Sequence, residues 1–352
     1  MNVYLAGTSV INPEEALKIQ YLFKKGNKLH SYFHIPILEK RWFDMNVKNE
    51  VNLFIDSGAF SAWSQNIEID IYEYAKFIKQ HKDIINIYAN LDVIGVGGKQ
   101  PNKLTAEKTL ENQRILEAEG LSPIPCFHYG EPDEYLQYYV DNYDYIALGV
   151  AGNAGKKLIP WLDRCFLDFI CDKNGMPKTK VHGFAVTSLV LMMRYPWYSV
   201  DSTSWVVCGR MGSVMVPRRK NGKWRYDANS WKVTVSSRSP GIKDDLTHIQ
   251  NMPPIKKEIV MDYLNEKGYE LGESYFEKVP QDRELGENER WAEKKPKNKK
   301  AKRLLEIITV NGIANRYQLR DELNIIYYLD LEKSLPDWPW AFKKKSKLTA
   351  LL

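Results

Sequence analysis

Cysteine is scarce in this chain, with Cys126, Cys165, Cys171 and Cys208 the four among 352 residues. None forms a Cys-x-x-Cys pair and none lies beyond Cys208, a spacing that argues against a structural zinc site and a disulfide framework. No metal or cofactor is expected. Apolar runs of about 18 residues are also missing, so no membrane-spanning helix is expected. The opening MNVYLAG has no basic region followed by a long apolar segment, so no secretory leader is expected. A soluble, cytoplasmic protein is expected. A Gly-x-Gly-x-x-Gly fingerprint does not follow the first apolar run, where LAGTSVIN stands instead, which speaks against a doubly wound sheet. There is no internal repeat. The charge excess is modest, 50 Lys and Arg against 44 Asp and Glu, and matters only where it clusters.

Hydrophobic residues make up 44% of the chain, with 21 Tyr and 10 Trp, enough for a large core. Short apolar runs recur at 3–7, 29–35, 52–57, 85–93, 123–130, 145–150, 180–186 and 197–202. Their length and their β-branched or aromatic content predict strands. The stretches between them predict helices. Pro13 suits the first helical position of one. Asp70 and Glu73 form a capping-box-like start to another, and a third runs from near Thr105 to Gly120. A fourth starts at Pro160 and sets Cys165 on an apolar face, as a core residue. Strand–helix alternation predicts a mostly parallel sheet. The expected fold is an α/β protein, a (β/α)8 TIM barrel of the size such barrels take, about 250 residues, with a basic β-hairpin insertion and a small C-terminal helical extension.

The expected domains are a barrel over 1–240 containing a basic hairpin at about 213–237, a helical extension over 241–280, a basic linker over 281–303 and a small helical region over 304–352. The hairpin SVMVPRRKNGKWRYD turns at Asn221-Gly222. It carries Arg218, Arg219, Lys220, Lys223 and Arg225 around Trp224. Basic residues interleaved with aromatics suit a phosphate backbone and unstacked bases, and they equally suit a solvated hairpin. The segment KKPKNKKAKR, basic at seven positions in ten, reads as a solvated linker whose sign matches the hairpin.

A barrel of this kind works at the C-terminal ends of its strands. Polar residues gather there: Asp56, Asp92, His128, His182 and Asp201, with Gly149 after the sixth run. A lone strand-end aspartate is usually a turn or cap residue, so the weight lies in their number. His128 and His182 suit ordinary hydrogen-bonded roles, although His128 is also placed to line a pocket. Ser57 and Ser202 suit orienting neighbouring carboxylates, since no base partner for a serine nucleophile is evident.

Assembled in order, these segments resemble the tRNA-guanine transglycosylase superfamily over roughly residues 50–235, most of all the phage and bacterial branch that inserts 7-deazaguanines into DNA. DSGAFS, from Asp56 to Ser61, is similar to that family's Asp-Ser-Gly-Gly-Phe-Gln signature. The resemblance implies general acid/base catalysis by Asp56 and stacking on the base by Phe60. It gives Asp92 of NLDV a hydrogen bond to the guanine edge, and Gly149 of ALGV a backbone contact with the base. Ser57 and His128 would complete the base pocket. HGFAVTS…YSVDSTSW resembles the passage that delivers the nucleophile, here Asp201. The implied partners are DNA, with tRNA as the alternative, and a free 7-deazaguanine base. Ala59 replaces the second glycine of the signature, Gly149-Val150 stands where a glycine pair is usual, and His128 replaces a glutamine, which leaves the incoming base open. The cysteine-rich zinc module of the tRNA enzymes is absent, which favours DNA. An N-glycoside hydrolase on the same barrel, or a catalytically silent nucleic-acid-binding barrel, are the rival readings.

Overall fold

Eight short strands, each rich in apolar residues, lie side by side in one sheet: β1 (Asn2–Ala6), β2 (Asn27–Ser31), β3 (Asn52–Asp56), β4 (Ile87–Tyr88), β5 (Cys126–His128), β6 (Tyr145–Gly149), β7 (Lys180–Gly183) and β8 (Ser199–Ser202). Their order is β4-β3-β2-β1-β8-β7-β6-β5, and every neighbouring pair is parallel. The computed structural model describes residues 1–7, 26–35, 51–95, 101–149, 157–239, 246–298 and 300–343. Helices flank the curled sheet: α1 (Ala59–Ser64), α2 (Ile71–Gln80), α3 (Lys103–Ala118), α4 (Asp133–Asn142), α5 (Leu158–Arg164) and α6 (Leu189–Arg194). The end strands β4 and β5 are linked by one parallel bridge, Ala89 to Ile124. There the Asn90 N–H donates to Ile124 O at 2.9 Å and the Ile124 N–H to Tyr88 O at 3.0 Å. Each of the eight strands expected from the sequence is present. The helix expected from Pro13 lies outside the described residues.

Side chains alternate across a strand. Tyr4, Ala6, Leu29, Phe54, Ala89, Ile124, Cys126 and Ala147 form one buried cluster on one face. The other face packs Leu53 and Ile55 against Tyr74, Ala75 and Ile78 of α2 and Leu116 of α3. Fixed helix starts hold that second layer. The Asp70 carboxylate accepts the N–H groups of Tyr72 and Glu73 at 2.8 and 3.0 Å. Asn102 caps α3 reciprocally with Thr105. At the N-terminal end of the strands, Glu332 accepts from the Val3 N–H at 2.8 Å and from Asn27 Nδ2 at 3.0 Å. Asn52 Nδ2 in turn donates to Asn27 Oδ1 and to the Tyr4 hydroxyl.

The chain forms two compact units, Met1–Thr203 with Leu331–Leu352, and Ser204–Asp330. The first unit ends just after β8, and the basic hairpin belongs to the second. That unit holds α7 (Ser204–Arg210), β9 (Ser213–Val216), β10 (Arg218–Lys220), β11 (Lys223–Arg225), β12 (Trp231–Thr234), α8 (Pro254–Glu266), β13 (Glu273–Pro280), β14 (Glu289–Trp291), β15 (Lys302–Val310) and most of α9 (Tyr317–Ser334). β9 pairs with β12 and β10 with β11. Asn221 and Gly222 take φ of 50° and 75°, the left-handed pair a two-residue hairpin turn requires. The stretch expected to be a linker supplies β14 and the start of β15 in the sheet β13-β15-β14, and β15 extends into the region expected to be helical. These strands pair with partners distant in sequence and keep many exposed polar residues, so local composition does not announce them. Among the described residues, no helix is long and apolar enough to cross a membrane.

Replacing Asp70 with alanine removes both bonds that start α2 and is expected to cost about 1 kcal/mol in denaturant unfolding. An unchanged midpoint would show that packing alone sets that helix.

Candidate active site

Asp56 ends β3, two residues beyond the buried Phe54 and therefore on the same face. The chain turns sharply after it. Gly58 has φ of +80°, and a Cβ there would lie 2.5 Å from Phe33 Cβ and closer still to Ser31 Oγ, so the position requires glycine. The turn brings the Gly58 N–H to Asp56 Oδ2 at 3.2 Å. Burial pushes the Asp56 carboxyl up to about 8, with the charges of Asp92 and Asp201 adding to it and the N–H groups of Gly58 and Ser57 opposing. Phe60, in the first turn of α1, is 55% exposed, with Trp63 beside it at 5.9 Å between ring centroids.

Asp201 lies in β8 in register with Tyr4, on the same face. Its Oδ1 accepts the Ala185 N–H at 2.7 Å. Ala185 has φ of 54°, a left-handed conformation uncommon for a residue with a Cβ. Backbone held in this way is a recurring feature of functional sites. His182 Nε2 stands 3.4 Å from the same Asp201 oxygen, and His182 Nδ1 lies 2.6 Å from Ser199 Oγ. Burial lowers the His182 pKa, against the pull of Asp201.

A second network begins beside Asp56. Ser57 Oγ donates to Asp92 Oδ1 at 2.9 Å, and His128 Nε2 stands 2.9 Å from Asp92 Oδ2. Glu131 takes the other side of His128, with Oε2 accepting the His128 N–H at 2.8 Å and Oε1 3.4 Å from Nδ1. Burial alone would lower the His128 pKa. The Glu131 charge and the hydrogen bonds to Asp92 and Glu131 outweigh it and push His128 up to about 10, so the ring is a cation at neutral pH. Gly149 lies under that ring, and a Cβ there would fall 2.5 Å from His128 Cδ2. The irregular chain around Asp92 is pinned by α3, through Asn112 Nδ2 to Leu91 O and the Val93 N–H to Thr109 Oγ1.

The structure thus gathers Asp56, Ser57, Asp92, His128, Gly149 and Asp201 in the first unit, at the C-terminal ends of its strands. Ser202, the residue after Asp201, is also buried. Glu131 and Ala185 were not evident from the sequence. The turn Tyr129-Gly130-Glu131 was a usable signal for Glu131, since Gly130 takes φ of +105°. No local signal marks Ala185. Among the described residues, no group of three or more His, Cys, Asp or Glu is placed to hold a metal ion.

The basic hairpin is largely engaged within its own unit. Arg218 donates to Asn229 O and lies 4.6 Å from the Trp231 ring centroid. Arg219 pairs with Asp262 at 2.5 Å, Trp224 Nε1 donates to Glu266 at 2.6 Å, and Arg225 pairs with Asp227. Lys220 and Lys223 face each other across the turn and form no ion pair among the described residues.

Linkage sets a pH dependence on Asp56. An unfolded aspartate ionises near pH 4, whereas the folded group holds its proton to about 8. Across that window the folded state binds the extra proton, so the Asp56 contribution to stability falls as pH rises. Asp56→Asn is therefore expected to unfold at higher temperature than the unmutated protein at pH 8 and at about the same temperature near pH 4. A pH-independent difference would contradict this. No family model matches the chain, and comparison with curated proteins returns no match.

Proposed function

We propose that the protein is a transglycosylase that exchanges guanine in DNA for a free 7-deazaguanine base, such as 7-cyano-7-deazaguanine, through a covalent aspartyl-nucleoside intermediate. The observation that carries this reading is a pair of carboxyl groups in different settings on one face. Asp56 is pushed up to about 8, and Asp201 is anchored through one oxygen by the Ala185 N–H. An acid near pKa 8 is protonated at neutral pH and surrenders its proton readily, which suits a group that must protonate one purine and deprotonate the next. Support for reading the curled sheet as a closed (β/α)8 barrel comes from the Ala89–Ile124 bridge between its end strands. The lack of cysteine beyond Cys208 favours DNA over tRNA. In a bacterial cell or a phage-infected host, either substrate would be met in the cytoplasm.

The chemistry follows from these roles. Asp201 attacks C1′ as the C1′–N9 bond breaks, and the bonding pair leaves with guanine, which takes the proton of Asp56. The incoming 7-deazaguanine returns its N9 proton to Asp56, attacks C1′ and releases Asp201, so two inversions give retention. Phe60 offers an exposed ring for stacking. Asp92, steadied by Ser57 and His128, accepts from the N–H groups of the guanine edge. Reaching C1′ in a duplex means flipping the nucleotide out, which costs a few kcal/mol.

The test supplies 7-cyano-7-deazaguanine with duplex DNA and, in parallel, bulk tRNA, and reads digested nucleosides by mass spectrometry. A deazaguanine deoxynucleoside is expected with the unmutated protein and none with Asp201→Asn. Product in tRNA alone moves the substrate to tRNA. Guanine released without replacement makes the protein a hydrolase. A second prediction concerns the hairpin. Replacing Lys220 and Lys223 with alanine should weaken DNA binding and flatten the slope of log affinity against log salt by about 2, because each phosphate contact contributes about 0.9. An unchanged slope would remove the hairpin tip from the interface.

A further inference from the structure

Behind Asp201 lies a row of polar groups inside an otherwise aromatic and aliphatic interior. His182 is fully buried, with the rings of Phe54 and Phe184 at 4.7 Å and Tyr4 at 6.1 Å. Its polar neighbours are Asp201 on one side and Ser199 on the other. Ser199, also fully buried, touches the Tyr145 hydroxyl at 2.5 Å. These residues meet because β6, β7 and β8 are adjacent: Ala147, two residues from Tyr145, registers with His182, and His182 registers with Ser199.

Proton counting gives this row a direction. The serine hydroxyl has one hydrogen and two close neighbours. If the Tyr145 O–H donates to Ser199 and the Ser199 O–H donates to His182 Nδ1, the neutral ring carries its hydrogen on Nε2, whose nearest anionic oxygen is Asp201 Oδ1 at 3.4 Å, without hydrogen-bond alignment. If His182 Nδ1–H donated to Ser199 instead, a neutral ring would turn an Nε2 lone pair toward a carboxylate oxygen 3.4 Å away, which is repulsive. Burial opposes the doubly protonated ring. The Ala185 N–H donates to Asp201 Oδ1, the oxygen that also lies 3.4 Å from His182 Nε2, a contact outside hydrogen-bond geometry, and no described residue donates to Oδ2.

We infer that Tyr145, Ser199 and His182 form a one-way hydrogen-bond relay that fixes His182 as its Nε2–H tautomer, making it a positioning residue whose N–H dipole, 3.4 Å from Oδ1, steadies the Asp201 carboxylate that the Ala185 N–H holds and leaves Oδ2 as the attacking oxygen. The assignment of Oδ2 rests on Asp201 being the nucleophile of the proposed reaction. In that step the Oδ2 lone pair forms the bond to C1′, the C1′–N9 pair departs with the guanine, and Oδ1 becomes the ester carbonyl oxygen. The N–H groups of Ala185 and His182 then stabilise Oδ1 and the carboxylate that reforms when the incoming base displaces it.

The relay is tested without any assumption about activity. Protein labelled with ¹⁵N in its histidine rings is examined at pH 7 by two-bond proton–nitrogen correlation, with His182 assigned by comparison with His182→Gln. The expected result is a hydrogen on Nε2 and a bare Nδ1. Ser199→Ala, which removes a hydroxyl and adds no volume, is expected to bring in the Nδ1–H form. A hydrogen on Nδ1 in the unmutated protein, alone or with one on Nε2, overturns the relay. Kinetics then test the positioning role. His182→Phe is expected to lower kcat for base exchange about 10-fold at unchanged KM, the scale of one polar group lost beside a buried charge. His182→Gln, which keeps an N–H donor, should recover part of that loss. A folded His182→Phe variant with unchanged kcat overturns the role. Nε2–H in a protein that exchanges no base leaves the relay standing and refutes the transglycosylase reading instead.

Discussion

A carboxyl group at the end of a buried parallel strand must be given donors, be given a counter-charge, or keep its proton. The site is organised around that constraint. The two-residue period that buries Phe54 also turns Asp56 inward, and the register that pairs Tyr4 with β8 does the same for Asp201. Three aspartates then share one region, and each meets a different solution. Asp56 receives a weak backbone donor and rises to about 8. Asp92 is bound by a serine hydroxyl and a cationic histidine. Asp201 takes a short backbone N–H from a residue in left-handed conformation. Carboxyls separated in this manner can divide the labour of a two-step substitution.

The two histidines illustrate how burial alone does not set a protonation state. His128 and His182 are both enclosed. His128 lies between Asp92 and Glu131, and two carboxylates overcome the cost of desolvating a cation. His182 has one carboxylate at a longer distance and a hydroxyl on its other side, and burial prevails. The neighbours across the strands therefore make one ring a fixed charge and leave the other a neutral dipole.

In the second unit the same reasoning changes the meaning of a basic stretch. Arginines and a tryptophan that look available in the sequence are committed to Asp262, Glu266, Asp227 and the Trp231 ring. Asp262 and Glu266 tie Arg219 and Trp224 to α8, while the exposed charge at the hairpin tip is that of Lys220 and Lys223. Surface ion pairs of this kind contribute little stability individually, but they orient the ribbon.

Much of the first unit was legible in the amino-acid sequence. The positions of its eight strands, the start of α2 at Asp70, the buried Cys165 and the turn at Asn221-Gly222 in the second unit are all encoded within a few residues, because side-chain period, capping and turn conformation are local properties. So was the clustering of acids at strand ends, since strand direction alone brings those ends together. Tertiary structure decided the rest. The boundary after Thr203 and the sheet β13-β15-β14 depend on which distant segments pair. Glu131 became a charge partner only through the position of the His128 ring, and Ala185 a donor only because its surroundings impose a backbone shape that alanine does not favour by itself. Hydrogen bonds that cross from strand to strand join residues such as Tyr145 and Ser199, 54 positions apart. No local pattern specifies them, because their geometry exists only once the whole sheet has formed.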